Sequence, residues 1–79
     1  MTAEQKLSAA RALVARIPAE FDPAPVPEVA KAIGVSAATV RAWIADGRVR
    51  ALNVGAKADA PTWRVDRDSL ARFLAERMR

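Results

Sequence analysis

The sequence predicts a mainly α-helical fold with one small β-hairpin, and three observations carry that reading. Apolar residues recur at helical spacing near both ends and in the middle of the chain. The period changes to strand-like alternation only between about residues 49 and 65. Capping residues, glycines and prolines stand where the segments begin or end. At 79 residues the chain forms a single domain overall, and such a chain buries only about 60% of its unfolded surface, so the core has to be small and efficient.

Residues 1–17 form an N-terminal helix. Thr2 followed by Gln5 has the form of a capping box, and Leu7, Ala10, Leu13, Val14 and Ile17 line one stripe. Pro18 ends the helix. Arg11 and Arg16 fall off the stripe and read as solvated, with an extra phosphate contact as the alternative. The stripe needs a cover, either the following helices or a second copy of the chain, and the sequence leaves both open.

Residues 18–26 form a connector. PAEFDPAPVP holds four of the five prolines, which rules out regular helix and favours extended backbone, and Phe21 is the residue that anchors it to the core. Pro27 suits the first turn of the next helix, where its missing N–H is no loss, and Glu28 beside it complements the helix dipole.

From Val26 to Ala45, VPEVAKAIGVSAATVRAWIA has the layout of a helix-turn-helix. Val29 and Ile33 share a face of one short helix, and Val40, Trp43 and Ile44 make the matching face of a second. Gly34 supplies the left-handed turn between them, and Ser36 caps the second helix, which spans about residues 37–46. The other face of that helix carries Ala37, Ala38, Thr39, Arg41, Ala42 and Ala45. A short surface of small side chains with one arginine suits a DNA major groove. A plain helical hairpin accommodates the same glycine and small residues. The spacing of the whole pattern favours DNA.

Asp46-Gly47 stops the second helix, after which residues 49–54 and 62–65 alternate as two strands of a hairpin over about residues 49–65. Beside a helix-turn-helix such a hairpin is a wing, so the fold is a winged helix-turn-helix with an additional N-terminal helix and a C-terminal helix. Arg50, Arg64 and tip Lys57 are candidate phosphate contacts, with Arg48 in the flank. Each taken singly reads equally well as a solvated surface side chain. Trp63 and Trp43 read as core. The C-terminal helix covers about residues 67–78, capped by Asp66 and helped by Asp68 in its first turn. Leu70, Phe73, Leu74 and Met78 make its buried stripe, while Arg67, Arg72, Arg77 and Arg79 make a basic exposed side, either solvated or a docking surface for another protein.

Charge follows the same division. Residues 1–35 carry four basic and four acidic side chains, and residues 36–79 carry nine and five, so the whole net charge of +4 lies from the second helix onward. Ten of the thirteen basic residues are Arg, whose planar fork suits phosphate and guanine edges, although the nineteen alanines point to a GC-rich genome as a simpler cause. The chain has no His and no Cys, and no Ser/Lys constellation or carboxylate pair in a recognisable setting. No nucleophile and base can be assembled from it, so no enzyme, cofactor or metal site is expected. No apolar run is long enough for a membrane span and no signal peptide is legible, so a cytoplasmic, nucleoid-associated protein is expected.

PEVAKAIGVSAATVRAWIADGRVRALNVG followed by TWRVDRDSLARFL resembles the small winged-helix proteins of the phage excisionase group, related to the DNA-binding domain of MerR-type regulators. The resemblance covers Pro27 to about Leu74 and places residues 27–79 as the winged domain. It implies a recombination directionality factor. Such a protein binds repeated sites in double-stranded DNA beside a prophage attachment site, bends the DNA and contacts an integrase so that excision replaces integration. It also implies that Ser36, Ala37, Ala38, Thr39, Arg41 and Ala42 lie on the recognition helix and Arg50, Lys57 and Arg64 on the wing. Family members often cap the first helix with a hydroxyl residue where this chain has Pro25, and the N-terminal helix is an addition that minimal members lack. That helix is a candidate for self-association, as is loading side by side on DNA. Two other functions fit the residues: a small MerR-like transcriptional regulator, and a protein interaction module that does not bind DNA.

Overall fold

The structure, a computed structural model, describes residues 1–56 and 61–79. In chain order its elements are α1 (Ala3–Val14), β1 (Ala24–Pro25), α2 (Val26–Ile33), α3 (Ala37–Ala45), β2 (Ala51–Asn53), β3 (Trp63–Val65) and α4 (Arg67–Glu76). The fold class is the expected one, mainly helical with a small antiparallel sheet.

The helix boundaries follow from local chemistry. At α1 the capping box is complete: Thr2 Oγ1 accepts from the Gln5 N–H at 3.1 Å and Gln5 Oε1 accepts from the Thr2 N–H at 2.8 Å. Regular α-helix stops at Val14, three residues before the expected end, and tighter turns carry the chain to Ile17, which is 1% exposed. Gly34 has φ of 84°, and both it and Val35 donate to the Ala30 carbonyl, so the turn closes α2 and opens α3 within three residues. Pro25 leaves the start of α2 without a side-chain cap, as its lack of a hydroxyl dictates.

The connector differs from expectation. Ala24 and Pro25 form a strand, and β3 lies between β1 and β2, giving a three-stranded sheet rather than a free hairpin. Pro25 is tolerated there because β1 is an edge strand, where a missing N–H leaves no ladder bond unmade. Residues 18–26 therefore hold the first strand of the sheet, and α2 starts at Val26. In the hairpin, Leu52 stands opposite Arg64 and Asn53 opposite Trp63. The ladder continues beyond both ends, with Asp66 N–H donating to Arg50 and Val54 N–H to Thr62. Asn53 Oδ1 accepts from Gly55 and Thr62 and closes the base of the hairpin loop.

The core joins every layer: Ala10, Val14 and Ile17 from the N-terminal segment, Val29 and Val40 from the helix-turn-helix, Val65 from the sheet, and Leu70 from α4. Phe21, Trp43 and Trp63 are half-buried against it, as the sequence reading expected. Trp43 and Phe73 meet with ring centroids 4.9 Å apart, fastening α3 to α4. The stripe of α1 is covered within the chain, mainly by α4 and also by α2.

Two expectations about arginines are corrected. Arg67 is not on an exposed basic side: its guanidinium is turned inward and donates to the carbonyls of Val14, Ile17, Pro18 and Phe21 at 3.1–3.2 Å. Those carbonyls lie at the end of α1 and in the turns after it, where Val14 and Pro18 also accept the N–H groups of Ile17 and Phe21, and a five-donor fork can serve several at once. Arg11 is not simply solvated, because Nη2 meets Asp68 Oδ1 at 3.2 Å.

Candidate nucleic-acid interface

The helical period sorts α3 into two sides. Val40 is fully buried, Trp43 and Ile44 pack against the core, and Ala38, Arg41, Ala42 and Ala45 are exposed together on the opposite side. The exposed side has one long side chain, Arg41, rising from a floor of methyl groups. Ser36 Oγ accepts from the Thr39 N–H at 3.1 Å and lies 2.9 Å from the Thr39 hydroxyl, so both hydroxyls belong to the helix cap. Ala37 is half-buried and packs against the core, which makes it a spacer rather than a reader of bases.

The flank and wing residues occupy two adjoining places. Arg48 and Arg50 are exposed after α3 and line one shallow concavity with Ser69 and Arg72 of α4. Arg50 also lines a second concavity with Arg64, Leu52 and Pro23 on the outer side of the sheet. Arg64 is half-buried in the central strand, opposite Leu52 and Pro25. Lys57 lies outside the described residues. Arg41 shares neither concavity, so the candidates form a helix face and a separate wing-base group rather than one pocket.

Ion pairing separates the arginines further. Among the described residues, Arg41, Arg48 and Arg64 make no ion pair. Arg50 Nη1 stands 3.7 Å from Asp66 Oδ2 with its side chain 82% exposed, a loose contact that solvent screens. Arg72 Nε meets Asp68 Oδ2 at 2.8 Å in an exposed pair one turn apart on α4, and Arg77 lies over the Phe73 ring at 5.3 Å. The Arg72 hydrogen bond outweighs an opposing desolvation and, with the charges of Arg72 and Arg11, holds the Asp68 carboxyl below its ordinary value. Most of the basic side expected on α4 is therefore engaged within the molecule.

Sequence reasoning missed two features near this surface. Leu52 and Val54 are large apolar side chains left 59% and 51% exposed on the outer side of the sheet. Alternation along residues 49–54 separates two faces but does not say which one the core covers. The second is the Arg48, Arg50 and Arg72 grouping, which depends on how α4 is seated. Among the described residues, no cluster of His, Cys, Asp and Glu is arranged to hold a metal ion and no helix is long and apolar enough to cross a membrane.

The family model described as helix-turn-helix domain matches residues 26–78, from the first residue of α2 to just beyond α4. No curated protein and no solved structure matches the chain significantly.

Proposed function

The chain belongs to the helix-turn-helix domain family, and on that premise we propose that it binds double-stranded DNA, with α3 in the major groove and the wing base on the flanking backbone. The observation that carries this reading is the exposed side of α3. Ala38, Ala42 and Ala45 allow close approach and methyl contact with thymine, and Arg41 is the one side chain there able to grip a guanine edge. The remaining candidates act at a distance from the bases: Ser36 and Thr39 set the helix start, and Arg48, Arg50, Arg64 and Lys57 neutralise phosphates.

The finer reading is a DNA-binding protein of excisionase type, loading on repeated sites near a prophage attachment site, bending the DNA and directing an integrase toward excision. Its support is the resemblance of the EVA, GVS, DGRV and WRVDRDSLARFL pieces to that group. A single module with one guanine-reading arginine discriminates poorly, so selectivity comes from several copies side by side or from DNA shape. With the stripe of α1 covered in the chain, we place self-association on the DNA rather than through that helix. The protein works in the cytoplasm, beside the chromosome, as one domain. A small MerR-like regulator would use the same surface; it is separated by whether the protein shifts recombination or only transcription. An interaction module recruiting through the terminal helices is disfavoured, since Arg67 of α4 is turned inward and the stripe of α1 is covered within the chain.

The test is a titration of the protein onto duplex DNA from around its own gene and onto a scrambled duplex, with Arg41→Ala alongside. Preferential, stepwise binding to the first duplex that Arg41→Ala abolishes supports the reading. Weak and equal retention of both duplexes, unchanged in the variant, overturns it.

A further inference from the structure

Resting on the DNA-binding reading above, we infer that Arg72 of α4 completes a phosphodiester-binding cradle with Arg48 and Arg50, so that the DNA backbone is gripped by α4 as well as by the wing base. The three arginines come from the α3–β2 junction, the start of the hairpin and the second turn of α4, and they line one concavity. Arg48 and Arg50 are already the flank of the proposed interface, and a phosphate drawn to them sits beside Arg72.

The donor set suits an anionic oxygen. Ser69 Oγ, on the same wall, accepts the Arg50 backbone N–H at 2.8 Å, so its own hydroxyl proton is directed elsewhere and is a further donor. Arg48 has no ion pair among the described residues, and the 3.7 Å contact of Arg50 with Asp66 is easily exchanged. Three carboxylates also line this wall, Asp66, Asp68 and Glu76, and two of them have other work. Asp66 Oδ1 accepts from the N–H groups of Asp68 and Ser69 at the start of α4. Asp68 Oδ1 is held by Arg11 from α1.

Asp68 therefore has two arginines, one on each oxygen, and can release Arg72 while keeping Arg11. At 66% exposure the Arg72 side chain is free to swing from Asp68 Oδ2 to a phosphate oxygen. Asp68 is in this sense a competitor for the arginine that the DNA needs, and DNA binding exchanges one partner of Arg72 for another.

This makes opposite predictions for two neighbouring substitutions, which a purely structural ion pair does not. Binding of each variant to one duplex is measured across a salt series, with thermal unfolding as a control for folding. Arg72→Ala is expected to weaken binding about three- to tenfold at low salt and to reduce the salt slope by about 0.9, independent of DNA sequence. Asp68→Asn is expected to tighten binding, by setting Arg72 free. Arg72→Lys keeps the charge and retains most of the slope. An unchanged slope in Arg72→Ala, while Arg41→Ala still weakens binding, overturns the cradle and leaves the DNA-binding reading standing. A loss of affinity in Asp68→Asn matching that of Arg72→Ala also overturns it, since the pair then acts only through the fold. Failure of the unaltered protein to bind DNA removes both readings together.

Discussion

Arg67 Nη2 donates to the carbonyl oxygen of Ile17 at 3.2 Å, joining the first residue of α4 to the last turn of the N-terminal segment. The same guanidinium reaches Val14, Pro18 and Phe21. Its donors replace water for four backbone acceptors, which ties α1, the connector and α4 together at one point.

Arg67→Met removes all of these donors and keeps much of the apolar stem. It is expected to lower stability by about 1–2 kcal/mol, read as a fall in the urea midpoint, because partly buried carbonyls lose a charged donor. Arg67→Lys is expected to recover less than half, since an ammonium cannot fork across four acceptors. Equal midpoints for the unaltered protein and Arg67→Met would show that the fork contributes nothing net.

At the helix turn, Gly34 has φ of 84° and a Cβ built there meets nothing within 4 Å. The strain in Gly34→Ala is therefore confined to the backbone and is expected to reduce stability by about 1 kcal/mol. Gly34→Asn is expected to be milder, because asparagine visits the left-handed region more readily. Thermal unfolding of the two variants side by side checks the order.

Leu70 is 0% exposed and Leu52 is 59% exposed. Leu70→Ala is expected to cost about 2–5 kcal/mol through the cavity it leaves, and Leu52→Ala less than about 0.5 kcal/mol. Chemical denaturation measures both. A large loss in Leu52→Ala would mean that the outer side of the sheet is covered in solution.

Asp68 ionises more readily in the folded chain than in the unfolded one, because Arg72 and Arg11 favour its carboxylate. Its stabilising effect is then present above the unfolded carboxylate pKa and is lost as the pH falls through the lower, folded value. Unfolding temperatures taken from neutral pH down through the carboxylate range should fall less steeply for Asp68→Asn than for the unaltered protein. Parallel curves would deny the pair any role in acid sensitivity. The exposure of the group keeps the effect small.

What was legible in the sequence was whatever is decided within a few residues. Thr2 with Gln5, Ser36 with Thr39, and Asp66 with Ser69 are caps built at spacings of three, and each forms as expected. Gly34 and Gly47 take the positive φ that the helix ends require. The stripe residues Val29, Val40, Leu70 and Leu74 are buried because helical periodicity alone gathers them on one side. The exposed side of α3 follows from the same rule. The contacts that escaped are long-range. Arg67 meets Val14 across 53 positions and Arg11 meets Asp68 across 57, and nothing local distinguishes these arginines from solvated ones. Strand β1 escaped because two residues are too few to show alternation and one of them is a proline. For the interface, residue type singled out Arg48 and Arg50, whereas their nearness to Arg72 required α4 to be seated.

Ala24 stands opposite Val65 in the sheet, and the chain enters β1 and leaves β3 at the same end of that short ladder. Everything between them, the two helices and the wing, is gathered at a neck two residue pairs wide. Tension applied along the chain reaches that neck only after α1 and α4 have parted, and then peels its pairs apart one after another. Under pulling, the helix-turn-helix with its hairpin is therefore the last compact body to lose shape, and the extension released first comes from α1, the connector and α4.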